Sequence, residues 1–161
     1  MKIVKWIALG FGALVLGVVL LFVGARFADG PIAMIPGGAF RSGDFVEARV
    51  TDWSFVADRE TIEMQLEGAS TSRTTWIAVH DGKAYIPASL KFPPGKTWYL
   101  HAAEDGRAVL RIDGKLYRVM LRKLDDPAEI APAGAAIRAK YSPPPGGDDQ
   151  VWVFEVRSRP A

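Results

Sequence analysis

The chain opens on an apolar run that no charge interrupts. From Trp6 to Ala25, 20 positions, there is no charged residue and no Asn, Gln, Ser, Thr or Pro. At a rise of 1.5 Å per residue, a helix of that length spans about 30 Å, the thickness of a bilayer's hydrocarbon core. Backbone in hydrocarbon must satisfy its own hydrogen bonds, and a helix does so within one segment. Gly10, Gly12, Gly17 and Gly24 fit that setting, since glycine is common in membrane spans. The pattern predicts a transmembrane helix over residues 6–25, preceded by a short N-terminus over 1–5.

Beyond the span the period changes from helical to alternating. Residues 26–43 are rich in Gly, Pro and Ala and read as a linker and entry to a domain at 44–161. Ile32, Met34, Ile35 and Phe40 are too apolar for a fully solvated tether, so part of this linker is expected to pack on the domain. Thr61 to Glu67 alternates strictly, with Ile62, Met64 and Leu66 on one face and Glu63, Gln65 and Glu67 on the other. That is the signature of a half-buried strand with a solvated outer face.

Arg73–His80 and Lys83–Ala88 flank Asp81-Gly82, and Val109–Ile112 and Lys115–Leu124 flank Asp113-Gly114. Both dipeptides are two-residue hairpin signals. Gln150 to Arg157 reads as a last strand and Trp53 to Val56 as a short one, giving about seven. Trp98 to Glu104 is expected to be a short helix capped by Thr97. Asp126 to Lys140 is a longer one, with Asp126 as N-cap, Pro127 in the first position and Glu129 three residues after the cap. Pro132 predicts a kink or a later start. Pro143-Pro144-Pro145-Gly146-Gly147 reads as a loop, stiff and then flexible.

The strands come as hairpins rather than βαβ units. The fold class is mainly β, an antiparallel barrel or sandwich with one or two peripheral helices.

Charge sets the expected direction of the span. Lys2 and Lys5 precede it and Arg26 follows it. The excess favours a cytoplasmic N-terminus and a periplasmic or extracellular C-terminal domain, in a single-pass membrane protein. The competing reading is a cleaved secretory signal, for which Val23-Gly24-Ala25 offers a small residue at the cleavage point. Both readings export the domain. There is no Cys, so lipoprotein processing is excluded and no disulfide contributes.

Setting aside Lys2, Lys5 and Arg26 from the 20 basic residues leaves 17 against 18 acidic ones. A near-neutral domain of this kind argues against nucleic acid as a partner. Two histidines and no cysteine argue against a metal site. The basic positions Arg107, Arg111, Lys115, Arg118, Arg122 and Lys123 alternate with apolar ones and read as plain outer surface. Trp76, Tyr85 and Trp152 read as core.

The stretch from Arg73 to Glu129 has a distinctive order. Arg73-Thr74-Thr75-Trp76-Ile77-Ala78-Val79 is followed by His80-Asp81-Gly82-Lys83 and Ala84-Tyr85-Ile86-Pro87-Ala88-Ser89. Then come Lys96-Thr97-Trp98-Tyr99, the hairpin Val109 to Lys115, and Leu124-Asp125-Asp126-Pro127-Ala128-Glu129. In that order it resembles the split β-barrel flavin- and deazaflavin-binding proteins, first the deazaflavin-dependent nitroreductase-like branch and then the pyridoxamine-phosphate-oxidase-like one.

The resemblance implies a split β-barrel and a homodimer whose interface cleft holds FMN or a deazaflavin phosphate. Carried over by position, Arg73, Thr74, Thr75, Ser89, Lys91 and Lys96 would bind the phosphate and Trp98 would cover the ring. Arg offers a fork that matches phosphate oxygens. Leu100 to Gly106 stands where those families carry an Asn-containing helix, and the Gly-Gly after their second strand is missing here.

Two functions follow as expectations. One is a flavin- or deazaflavin-dependent oxidoreductase. The other is a non-catalytic envelope binding or interaction module that kept the barrel without the cofactor. No acid–base pair or nucleophile set identifies a catalytic residue. An unfolded chain exported by the general route leaves FMN behind, and no twin-Arg signal precedes the span.

Overall fold

A computed structural model describes residues 2–91, 93–142 and 150–160. Helix α1 runs Lys2–Ala25, and its stretch from Ile3 to Ala25 is long and apolar enough to cross a membrane. Its side chains are exposed along nearly the whole length, and Ala25, at the end, is buried. Among the described residues, the apolar surface of α1 therefore has no protein partner except where it meets the sheet.

Among the described residues nine strands follow: β1 Gly37–Gly38, β2 Asp44–Phe45, β3 Thr61–Leu66, β4 Thr71–Trp76, β5 Ala78–His80, β6 Lys83–Ser89, β7 Arg107–Ile112, β8 Lys115–Lys123 and β9 Val151–Ser158. Helix α2 is Trp98–Glu104 and α3 is Pro127–Lys140. The sheet order is β1-β4-β3-β7-β8-β9-β6-β5, with β2 added in parallel to the start of β8. All other pairings are antiparallel. The path is open, so the structure is a mainly antiparallel sheet with three helices among the described residues, and pairing does not close it into a barrel.

Both Asp-Gly hairpins form as expected. Asp81 and Gly82 have φ of 49° and 71°, and Asp113 and Gly114 have 51° and 76°. Two successive left-handed residues are what a twisted two-residue hairpin needs. The expected strand from Arg73 to His80 instead breaks at Ile77, and its halves serve opposite ends of the sheet path. β4 pairs with β3, and β5 pairs with β6. Side chains at the end of α3 fill the gap. Ile77 N–H donates to the Tyr141 hydroxyl (3.1 Å), while Ile77 C=O accepts from that hydroxyl (2.7 Å) and from Lys140 Nζ (2.9 Å).

Several expectations need correction. Trp53 to Val56 is not a strand: Ser54–Val56 is a single 3-10 turn. Thr97 precedes α2 but makes no side-chain cap. Asp126 does cap α3, accepting from Ala128 N–H at 2.9 Å, and the helix starts at Pro127 and runs through Pro132. Glu129 completes no capping box, because its carboxylate is held by Arg122 at 2.6 and 2.9 Å. The Pro143–Gly147 loop lies outside the described residues.

The core sits on one face of β3, β7 and β8, against β6 and β9 and under α2. Phe154, Met64, Ile77, Ile86 and Leu110 are its largest fully buried side chains. A second cluster under α3 joins Tyr85, Leu124, Ala133, Ile137 and Val153. Trp76 and Trp152, expected in the core, are half-buried, and Tyr85 is buried.

The outer face of β3 is not simply solvated. Gln65 Oε1 accepts from Phe40 N–H, and its amide donates to Ala69 O, each at 2.8 Å. Glu63 accepts from Arg111 Nε. The segment between Ala25 and β2 folds over this face, and its Gly37-Gly38 pair joins the sheet as β1.

Candidate functional site

Register explains where the predicted site residues go. In an antiparallel pair, directly opposed residues share a face. Arg73 is opposite Met64 and Thr75 is opposite Ile62. Both Met64 and Ile62 are buried core residues, so Arg73 and Thr75 point toward the core side of the sheet. Thr74 is opposite Glu63 and lies on the outer face, where its hydroxyl donates to Ala33 O.

Thr75 is buried. Arg73 is half-buried and its guanidinium lies over the indole of Trp98, 5.6 Å from the ring centroid. Trp98 is itself nearly covered, 6% exposed, with Phe154 against it at 5.6 Å.

Arg73, Lys96 and Trp98 line one groove of ≈ 790 Å³. Thr71 from β4, the loop from Pro93 to Thr97, and Arg26 and Pro36 from the segment after α1 complete much of the wall. Burial pushes the Arg73 guanidinium below its ordinary value. Burial and then the charge of Arg73 push the Lys96 ammonium down in the same way. Two cations in one half-dry groove, with the charge of Arg73 adding to the effect of burial on Lys96, favour an anion between them.

Acidic groups also reach the groove. Asp105 and Glu67 are both engaged by Arg107, at 2.6 and 3.8 Å, and Glu67 also by Arg159. Bonds from Arg107 hold the Asp105 carboxyl down at about 2. Glu104 lines the groove as well.

Ser89 and Lys91 do not line this groove. Ser89 is buried at the end of β6, where Lys91 N–H donates to its hydroxyl at 3.3 Å, and Lys91 is exposed. The structure thus brings together three of the seven predicted residues, Arg73, Lys96 and Trp98. Thr74 is turned to the other face, Thr75 is in the core, and Ser89 and Lys91 stand apart.

Half-buried arginines elsewhere on the sheet all have acidic partners. Arg111 is held by Glu63 and Asp29, Arg122 by Glu129 and Glu155, Arg159 by Glu67, and Arg118 approaches Glu47 at 3.7 Å. Among the described residues Arg73 has no such ion pair. Arg111 and Arg122 were expected as plain surface, and the structure corrects this: they are the centres of two ion-pair networks. Arg26, read from the sequence only as a charge flanking the span, also lines the groove. Its position one residue after the apolar run was the available signal.

Among the described residues no group of three His, Asp or Glu side chains is placed to hold a metal ion. No protein-family model matches the chain, and no curated protein matches it.

Proposed function

We propose that this chain is a non-catalytic binding protein of the cell envelope, held at a membrane by α1, whose groove takes an anionic group against Arg73 and Lys96. The observation that carries this reading is Arg73 itself. A half-buried charge normally has a compensating partner. Arg73 stands in register with core residues, and no carboxylate pairs with it among the described residues, although every other half-buried arginine of the sheet has one. A ligand oxyanion supplies the missing charge, and a guanidinium fork suits phosphate. Arg73, Lys96 and Trp98 come from one chain, so the reading needs no second copy.

The redox reading shares the phosphate end of this site and is supported by the convergence of those three family positions. Support for a split barrel comes from the 71–80 segment, which reaches both ends of the sheet path. Trp98 weighs against a stacked flavin, because Phe154 and Arg73 already lie against its ring. If the N-terminus is cytoplasmic, as Lys2 and Lys5 favour, the groove lies outside the cell membrane.

Titration of the detergent-extracted full chain with inorganic phosphate, glycerol phosphate and FMN, read by thermal shift and by FMN fluorescence, separates the readings. Stabilisation by all three that disappears in Arg73→Gln supports the anion groove. Quenching of FMN fluorescence with an affinity far above that for glycerol phosphate would favour the flavin. No shift with any anion sinks the proposal.

A further inference from the structure

The groove lies where the apolar helix ends. Arg26 directly follows Ala25, the last residue of α1, and lines the groove with Arg73 and Lys96. This junction is fixed to the sheet rather than hung from it. Ala25 is 1% exposed. The backbone oxygens of Ala28 and Arg26 approach Gly38 so closely that a Cβ there would stand 2.5 and 2.7 Å from them. Asp29 is bound to Arg111 through both its carboxylate (3.0 Å) and its carbonyl (2.8 Å).

The same turn exposes apolar side chains: Phe27 is 71% exposed, Met34 59% and Ile32 43%. Exposed apolar groups beside a hydrophobic helix end suit the interfacial layer of a bilayer, where apolar bodies bury and polar tips stay wet.

We propose that the groove takes the phosphate of an anionic glycerophospholipid from the very bilayer that α1 spans. This rests on the anion-binding reading above and names its ligand. The 23 residues of Ile3–Ala25 extend about 35 Å as a helix, a little more than the hydrocarbon core, so Arg26 stands at headgroup level. Phe27, Ile32 and Met34 dip into the same layer and hold the β1 edge of the sheet against the surface. Arg73 and Lys96 then face headgroups presented at high local concentration, so a groove with modest intrinsic affinity is filled. Of the carboxylates that line the groove, Asp105 and Glu67 are already engaged by Arg107 and Arg159.

The test uses the full chain in detergent micelles, with native mass spectrometry of retained lipid. Phosphatidylglycerol and phosphatidylcholine of identical acyl chains are added, and glycerol phosphate serves as the water-soluble probe. The expected result is one retained phosphatidylglycerol, preferred about thirtyfold over phosphatidylcholine for two cations acting on one headgroup. The double variant Arg73→Gln/Lys96→Gln loses the preference, and Lys5→Gln, on the opposite flank of the span, keeps it. If the double variant does not fold, Lys96→Gln alone carries the test and lowers the preference about fivefold.

Equal retention of the two lipids overturns the proposal, as does a preference that survives in the Arg73 and Lys96 variants. Arg73-dependent binding of glycerol phosphate without any lipid preference overturns the lipid assignment while leaving the anion groove standing. Failure of both probes removes both readings.

Discussion

Arg111 ties the segment after α1 to the sheet, and removing its charge should loosen that segment before it unfolds the core. Arg111 sits on β7, its side chain only 12% exposed. It donates to Glu63, to the Asp29 carboxylate and to the Asp29 carbonyl, and its guanidinium lies 4.4 Å from the centroid of Phe40. Arg111→Met keeps most of the stem that packs on Phe40 and removes the donors. A hydrogen bond to a charged group contributes about 1.5–3 kcal/mol when its partners stay buried. Here they do not, since the Glu63 and Asp29 side chains are 32% and 34% exposed and recover water once Arg111 is gone. Discounted for that, the three bonds and the ring contact amount to about 2 kcal/mol.

For a domain of this size that is a fall of about 8 °C in Tm, read by circular dichroism on the full chain in micelles. The second readout is trypsin cleavage at Arg26 and Arg41, which should speed up well below Tm, because Arg41 N–H and the Ser42 hydroxyl are held by the same Asp29 carboxylate. A cycle with Asp29→Asn should show coupling of about 1 kcal/mol. A Tm loss under about 2 °C, with cleavage unchanged, refutes the idea that this network fixes the junction.

Gly106→Ala should destabilise by about 3 kcal/mol in urea unfolding, because its Cβ would stand 2.1 Å from the Leu121 carbonyl oxygen, a backbone atom that cannot rotate away. Tyr141→Phe should cost about 2 kcal/mol by leaving the buried Ile77 amide without its acceptor, and hydrogen exchange at that amide should accelerate. Bonds from Arg122 hold the Glu129 carboxyl below its ordinary value, and those from Arg122 and Arg157 do the same for Glu155 against the opposing effect of its burial. Each is therefore ionised in the folded chain at pH values where the unfolded chain takes up a proton, so their stabilisation is present above about pH 4.5 and is lost as pH falls through the lowered values. Urea midpoints between pH 7 and 3 should show this fall, and Arg122→Gln should flatten it.

The local elements were legible because their signals are local. Two Asp-Gly turns fixed two hairpins, and the strict alternation of Thr61 to Glu67 fixed β3 almost to its ends. Trp98–Glu104 formed as a helix over the expected residues. Partner choice was not legible. Strand β9 sits between β8 and β6, which are far from it in sequence, and nothing in Val151–Ser158 names those neighbours. The break at Ile77 was hidden for a related reason. Thr71 to His80 is a continuous β-favouring run, and the bonds that let the chain leave one ladder for another come from the Tyr141 hydroxyl and Lys140 Nζ, 64 and 63 residues on from Ile77. The solvated reading of Glu63, Gln65 and Glu67 failed because the charges that cover that face come from Asp29 and Arg111, which are also remote.

The site was half legible, and strand phase explains the division. Residue type and family position put Arg73, Thr74 and Thr75 together as a cradle, but consecutive residues of a strand point to opposite faces. Arg73 and Thr74 therefore stand on opposite faces of the sheet. The phase was recoverable: an antiparallel β3–β4 pair that aligns Ile62 with Thr75 necessarily aligns Met64 with Arg73. A charge that falls in phase with core positions has either a partner or a purpose. Arg111 and Arg122 lie out of phase with the core and found carboxylates, whereas Arg73 lies in phase with it and faces a groove. That contrast, rather than the basic character of any one residue, is what singles out Arg73.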